Sequence, residues 1–129
     1  MNLATIRRIF LIFAAGVFFI IAIGSLVAPQ IMAAKLGYTL SSVDAFSEFR
    51  AVYVGMWLAM AVFLLIAARN IELALLGDLG VLLILGQTVG RLISILLDGF
   101  PSTQVWPIAI LEVLGGLAIL FIRPKQRGS

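Results

Sequence analysis

Four apolar stretches, each long enough to cross a lipid bilayer, divide the chain. They cover about residues 9–28, 49–68, 79–97 and 105–122. A bilayer core about 30 Å thick requires roughly 20 apolar residues in a helix that rises about 1.5 Å per residue. The links between the stretches are short, and the third stretch ends in a turn signal at Asp98-Gly99-Phe100-Pro101. The pattern predicts an all-α fold, a four-helix transmembrane bundle that forms one integral membrane domain, residues 1–129.

The polar positions between these stretches refine the helix ends. Ser42 and the residues around it are typical of an N-cap, so the second helix is predicted to begin near Ser42. The third helix is predicted to begin near Ile71, before its apolar part. The link Pro29–Ser41 carries enough apolar residues to form a short interfacial helix that ends at Gly37.

Composition supports the membrane interpretation and excludes several kinds of chemistry. The chain is 63% apolar and 12% charged, whereas a typical soluble domain is about 45–50% apolar and about 25% charged. It contains neither Cys nor His, so thiolate and imidazole ligands are absent and we expect no cofactor and no bound metal. The net charge of +3 does not indicate nucleic-acid binding, because the basic residues lie mainly at helix ends.

The basic residues predict the orientation of the bundle. One side of it is flanked by Arg7, Arg8, Arg69, Arg123, Lys125 and Arg127, whereas Lys35 alone lies in the opposite links. The positive-inside rule therefore predicts cytoplasmic N- and C-termini, with the links around 29–41 and 98–104 on the outside. The first apolar stretch is longer than the core of a signal peptide, so it is expected to be retained as a helix.

Four charged residues fall within or beside the apolar stretches: Glu48, Arg50, Arg91 and Glu112. A charge near the middle of a bilayer costs about 2.5–3.5 kcal/mol on insertion-based scales, so such residues are usually paired and often functional. Counting outward from the predicted turns places all four at one depth, to within about a helical turn, in the outer half of the bundle. The sequence thus predicts one intramembrane cluster of charges.

Helical spacing adds neutral partners to this cluster. Gln87, Arg91, Ser94 and Asp98 lie on one face of the third helix, and Tyr53 lies within a turn of Arg50. The complete predicted polar cluster is Glu48, Arg50, Tyr53, Gln87, Arg91, Ser94, Asp98 and Glu112. Glu48 is also predicted to share a face of small residues with Val52, Gly55 and Ala59. Arg50 points away from Glu48, so one of the two is expected to extend outward by snorkelling.

Three interpretations of the cluster remain open. It is a ligand site that opens to the outside, a proton or ion pathway, or a set of structural pairs, Arg91–Glu112 and Arg50–Glu48, that fasten the helices together. Asp78 lies on a different face of the third helix near the cytoplasmic end, and we expect it to pair with Arg7, Arg8 or Arg123.

Two segments and one residue resemble a family pattern. E-F-R-A-V-Y-V-G runs from Glu48 to Gly55, G-R-L-I-S-I-L-L-D-G-F-P runs from Gly90 to Pro101, and Glu112 follows. This order is similar to E-x-R-x-x-Y-x-G, G-R-x-x-S-x-x-x-D-G-x-P and a later Glu in an uncharacterised bacterial "domain of unknown function" family of small four-helix inner-membrane proteins. The resemblance implies a bacterial inner-membrane location and a common polar centre, but no activity. The four-helix plan is also similar, by analogy, to the DoxX-like membrane proteins.

The leading hypothesis is a non-enzymatic multi-pass membrane protein that binds a small amphiphilic or lipid-like ligand, or an accessory partner. In this hypothesis the arginines bind an anionic headgroup or a carbonyl, and the carboxylates hold the arginines in place. One alternative is a small proton-coupled transporter with Glu112 as the proton carrier, which would need a homodimer to build a path. Another is an enzyme that uses Glu48 or Glu112 as acid or base on a lipophilic substrate. Membrane lipids are expected partners in all three cases.

Overall fold

The computed structural model describes residues 1–101 and 106–123, and every regular element in these ranges is a helix. In chain order they are α1 (Leu3–Val27), α2 (Pro29–Lys35), α3 (Val43–Arg50), a π-helical segment (Ala51–Met56), α4 (Trp57–Arg69), α5 (Ala74–Asp98) and α6 (Trp106–Phe121). The predicted all-α class is therefore confirmed for the described residues. The predicted link residues 102–104, the start of the fourth span at Val105, and the basic residues Lys125 and Arg127 lie outside them.

Three helical stretches are long and apolar enough to cross a membrane. They are Leu3–Val27, the continuous helical stretch Val43–Arg69, and Ala74–Asp98, with mean hydropathies of 2.7, 2.3 and 1.9 over their most apolar windows. α6 is apolar too, but it is shorter, with 16 residues. These lengths match the roughly 20 residues that a bilayer core requires, so each of the three stretches is long enough to cross a membrane.

Side-chain caps define the starts of two helices, and a turn makes a third helix begin later in the sequence than predicted. The Asn2 side chain accepts a hydrogen bond from the Thr5 backbone N–H at 2.8 Å, and the Ser42 hydroxyl accepts one from the Ala45 N–H at 3.1 Å. The second long helix thus begins where the sequence predicts. The prediction that the third begins near Ile71 is wrong, because residues after Asn70 form a turn and α5 begins at Ala74.

The short helix α2 follows α1 almost directly. Pro29 occupies its first position, where the missing N–H of proline removes no helical hydrogen bond. After its last turn Gly37 adopts a positive φ of 79°, a conformation that glycine adopts without strain. The predicted short helix ending at Gly37 is present.

A π-helical segment lies inside the second long helical stretch, and the sequence analysis does not predict it. Over Ala51–Met56 the backbone widens from the i→i+4 to the i→i+5 hydrogen-bond pattern. Val52, Val54 and Gly55 are weak helix formers, which lowers the cost of leaving the α conformation. Because each π-helical residue advances less around the axis, the segment changes the angular relation between α3 and α4.

The core is built on small residues that allow helices to approach closely. α1 packs along α4, α4 contacts α5, and α5 contacts α6. Ala15 and Ala22 of α1 and Ala61 of α4 are buried in the common core, and small residues at such contacts favour close helix association. α1 and α6 touch much less extensively, so the ring of helices is loosest between these two.

Candidate functional site

Arg91 of α5 and Glu112 of α6 form a bidentate ion pair. The Arg91 Nε donates to the Glu112 Oε2 at 3.0 Å, and its Nη2 donates to the Oε1 at 3.1 Å. Two parallel charge-assisted hydrogen bonds of this kind fix the relative orientation of both side chains. The sequence analysis predicts this pairing, and the pair joins the two helices near one end of α5.

The pair is only partly enclosed. The Arg91 side chain is 30% exposed and that of Glu112 is 9% exposed. Among the described residues, the Arg91 Nη1 donates no hydrogen bond. A partly exposed guanidinium with a remaining donor can bind a further oxygen acceptor.

An apolar groove of about 420 Å³ lies beside the pair. Its walls come mainly from α1 and α6, between which the ring of helices is loosest, and include Phe13, Val17, Leu111 and Gly115. Within the described residues, Glu112 is the one charged residue in its lining. The groove therefore combines a hydrocarbon-like surface with a single polar position.

A column of aromatic rings runs from the α2 end of the bundle to this groove. Tyr53 stacks on Phe49 with ring centroids 4.6 Å apart and lies 5.4 Å from Trp57. Trp57 in turn meets Phe18 edge to face at 5.4 Å. Trp57 and Phe18 both line the groove. Tyr53 lies in the π-helical segment, a type of irregularity that is frequent at functional sites.

Glu48 and Arg50 do not join Arg91 and Glu112. Both side chains are exposed, and the Arg50 guanidinium lies over the Phe46 ring at 5.2 Å from its centroid. Among the described residues neither forms an ion pair, so the predicted structural pair Arg50–Glu48 is not formed. The predicted outward extension fits Arg50, whose side chain covers the half-buried Phe46 ring instead of entering the bundle.

The predicted face of small residues exists but points outward. Glu48, Val52, Gly55 and Ala59 are all exposed, whereas Phe49, Val54, Trp57 and Ala61 are buried. This face therefore lies outside the core. The bundle buries the larger aromatic and aliphatic side chains on the opposite side, and the π-helical segment shifts the register between them.

The remaining members of the predicted cluster lie along α5. Gln87 is half-buried, while Ser94 and Asp98 are exposed. The Ser94 hydroxyl donates to Asp98 Oδ2 at a long 3.4 Å, and the Tyr53 hydroxyl donates to that of Tyr38 at 3.4 Å. Arg91 and Glu112 are thus the directly bonded centre, with Tyr53 near them and the other predicted residues at the periphery.

A second group of charges lies at the other end of α5 and is called the Asp78 cluster: Arg7, Asp78 and Arg123. Asp78 Oδ1 accepts from the Arg7 Nη2 at 2.6 Å, and its Oδ2 accepts from the Arg123 Nε at 2.8 Å. The Arg7 Nη2 also donates to the Ala74 carbonyl at 3.2 Å. The predicted pairing of Asp78 is confirmed, and its one carboxylate links α1, α5 and Arg123, the second residue after α6.

Arg7 is the most completely buried charge of the described chain, with 0% exposure. A Cβ on Gly77 would lie 2.5 Å from its Nη2, so the absence of a side chain there makes room for the guanidinium. The sequence analysis places Arg7 at a helix end and misses its burial. The signal is its spacing of four from Leu11 and eight from Ala15, which puts Arg7 on the buried face of α1.

The described residues hold no group of three or more His, Cys, Asp or Glu that could bind a metal ion. Arginine cannot act as a general base in proteins, and Glu112 is bound to it through both oxygens. The arrangement is therefore suited to hydrogen bonding of a polar group rather than to metal chemistry.

Comparison with known proteins assigns the chain to a family. The family described as "Domain of unknown function (DUF4345)" matches residues 6–123. The chain belongs to this family. No curated protein and no solved structure matches it. The match covers both the Arg91–Glu112 pair and the Asp78 cluster. The family description supplies no activity, so the function proposed below is based on the geometry of these residues.

Proposed function

We propose that the protein is a multi-pass protein of a bacterial inner membrane with four membrane-spanning helices and with cytoplasmic N- and C-termini. Three long apolar helices and the shorter apolar α6 support this number. Arg7, Arg8, Arg69 and Arg123 all lie at the same end of the bundle, as the positive-inside rule requires of the cytoplasmic side. A 16-residue helix followed by a cationic residue can span a bilayer that thins locally around it.

Within this membrane the proposed function is the binding of a lipid-like amphiphile. Its hydrocarbon chain would lie in the groove between α1 and α6, and its polar group would meet the Arg91–Glu112 pair. The observation that carries this proposal is the lining of the groove, which is apolar except for Glu112. Ligand sites commonly combine an apolar lining with a small number of placed polar groups.

Charge and hydrogen bonding favour a polar group that accepts hydrogen bonds. Glu112 neutralises Arg91, and the remaining guanidinium donors can reach a carbonyl or another oxygen. Glu112 itself holds Arg91 in position, which limits the entropy lost when a ligand binds. The groove also favours this function over a proton-coupled transporter, because a proton relay requires no apolar cavity beside its carboxylate.

Two matched glycine substitutions test the proposal. A Cβ on Gly115, in the lining of the groove, meets no atom within 4 Å, and the same holds for Gly86 on the exposed side of α5. Gly115→Leu should therefore fill the groove without disturbing the fold, and Gly86→Leu adds the same side chain outside it. Native mass spectrometry of the detergent-solubilised proteins would measure the fraction that carries a co-purified amphiphile.

We expect wild type and Gly86→Leu to retain the amphiphile, and Gly115→Leu to lose most of it. Both variants should unfold at a temperature close to that of wild type, which checks that the loss is not caused by misfolding. Equal retention by the two variants would contradict binding in the groove.

A further inference from the structure

The Asp78 cluster carries more positive than negative charge. One carboxylate, Asp78, is shared between Arg7 and Arg123, and within the described residues neither arginine pairs with a second acid. A single carboxylate cannot neutralise two guanidinium groups, so one positive charge remains. An uncompensated charge in partly buried surroundings is unfavourable, because desolvation outweighs the attraction that is left.

The hydrogen bonds of Arg7 are also incomplete. Its Nε and Nη1 are buried and have no hydrogen-bond partner among the described residues. The guanidinium cannot easily turn to find one, because the Gly77 backbone lies against it so closely that a Cβ there would approach to 2.5 Å. Buried donors without acceptors are unfavourable, and more so when they are charged.

The N-terminus of α5 adds to the positive electrostatic potential around Arg7 and Arg123. α5 begins at Ala74, has no side-chain cap and has no acidic residue in its first turn. The free N–H groups at a helix start carry a partial positive charge that favours a nearby anion. The helix start alone would indicate nothing, but here it lies beside the buried and incompletely bonded Arg7.

We propose that the Asp78 cluster binds the phosphate of an anionic phospholipid headgroup. The phosphate would first meet Arg123, whose side chain is 50% exposed, and its single negative charge would balance the excess charge of Arg7 and Arg123. The inference rests on the membrane location proposed above, because in that orientation the cluster lies at the level of the cytoplasmic headgroups. Basic sites between membrane helices on that side are suited to anionic headgroups.

The experiment compares Arg123→Gln with a matched control, Arg50→Gln. Both arginines are exposed, but Arg50 lies at the opposite end of the bundle over Phe46. Wild type and both variants would be reconstituted into nanodiscs of equal phosphatidylcholine and phosphatidylglycerol. Native mass spectrometry of the released protein would measure the ratio of the two lipids that stay bound.

Wild type and Arg50→Gln should retain phosphatidylglycerol preferentially, and Arg123→Gln should reduce that preference about fivefold, the effect of removing one arginine near a membrane surface. An unchanged preference in Arg123→Gln, or an equal loss in Arg50→Gln, would overturn the proposal. Displacement of the lipid by soluble glycerol 3-phosphate would overturn the choice of a lipid headgroup over a free phosphate.

The same spectra separate this inference from the proposed function. Retention of the groove amphiphile is expected to respond to Gly115→Leu and to be unaffected by Arg123→Gln. A lost lipid preference with an unchanged groove ligand therefore concerns the Asp78 cluster alone. A protein that does not enter nanodiscs at all would contradict the membrane location on which both rest.

Discussion

The two ends of α5 carry ion pairs of opposite character. At the start of the helix, Asp78 holds a completely buried Arg7 and a half-exposed Arg123 in a cluster with an excess positive charge. Thirteen residues later, about 20 Å along the helix, Arg91 and Glu112 form a neutral pair in which the arginine is 30% exposed. Packing thus encloses the Arg7–Asp78 pair at one end of α5, whereas the Arg91–Glu112 pair at the other end is partly exposed beside the groove.

The difference shows how closely each pair is packed by its surroundings. Gly77 lies so close to Arg7 that a side chain there would overlap the guanidinium, so the helices at that end are packed directly against the charged group. Arg91 is less enclosed, since its side chain is 30% exposed. Arg7 and Asp78 therefore fasten α1 to α5. The proposed headgroup would meet the excess charge of that cluster, and the proposed amphiphile would meet the more open Arg91.

The largest effect is expected from Asp78→Leu. Removing the carboxylate leaves Arg7 buried without a counter-charge, and breaking a buried pair in this way costs about 3–5 kcal/mol. The free energy of unfolding, measured by denaturant titration in mixed micelles, should fall by this amount. The double variant Arg7→Leu with Asp78→Leu should regain much of it, because no buried charge remains. A double variant as unstable as Asp78→Leu would show that the two residues do not stabilise each other.

A smaller loss is expected from Gly77→Ala. The added methyl group would overlap the fully buried Arg7 guanidinium, and overpacking of this kind typically costs about 1–3 kcal/mol. Gly86→Ala is the matched control on the same helix. It meets open space and should leave stability unchanged or raise it by up to about 1 kcal/mol through helix propensity. Equal stability of the two variants would mean that Arg7 is not enclosed as described.

The smallest of the three effects on stability is expected from Glu112→Leu. Arg91 is left without its partner, but it is partly exposed and can extend toward the headgroups, so we expect a loss of about 1–2 kcal/mol. Unfolding in the same micelles provides the comparison. A loss equal to that of Asp78→Leu would remove the distinction between the open and the enclosed pair.

The parts of the fold that depend on local sequence pattern could be predicted from the sequence. The N-cap at Ser42, the short helix before Gly37, the pairing of Arg91 with Glu112 and that of Asp78 with Arg7 and Arg123 follow from capping chemistry, glycine conformation and charge. These charges lie within or next to apolar helices, so few partners were available to each of them.

The side of the second helical stretch that is buried could not be predicted from the sequence, for a physical reason. Small residues such as Gly55 and Ala59 occur both at close helix contacts and on surfaces that pack against nothing. Which side of the helix is buried depends on whether these residues or Trp57 and Ala61, on the other side, pack better against the bundle. The π-helical segment has no clear sequence signature, yet it changes the phase of Glu48 and Arg50 relative to α4. The burial of Arg7 likewise depends on Gly77, a residue 70 positions away.

The most direct test of the contrast compares two charge-free double variants for retention of the groove amphiphile, measured by native mass spectrometry. Arg91→Leu with Glu112→Leu should fold but lose the amphiphile, because its polar contact is gone. Arg7→Leu with Asp78→Leu should fold and keep it, because the groove and its polar position remain. Retention of the amphiphile by the Arg91 and Glu112 double variant, at a level equal to wild type, would contradict the account and leave that pair a structural one.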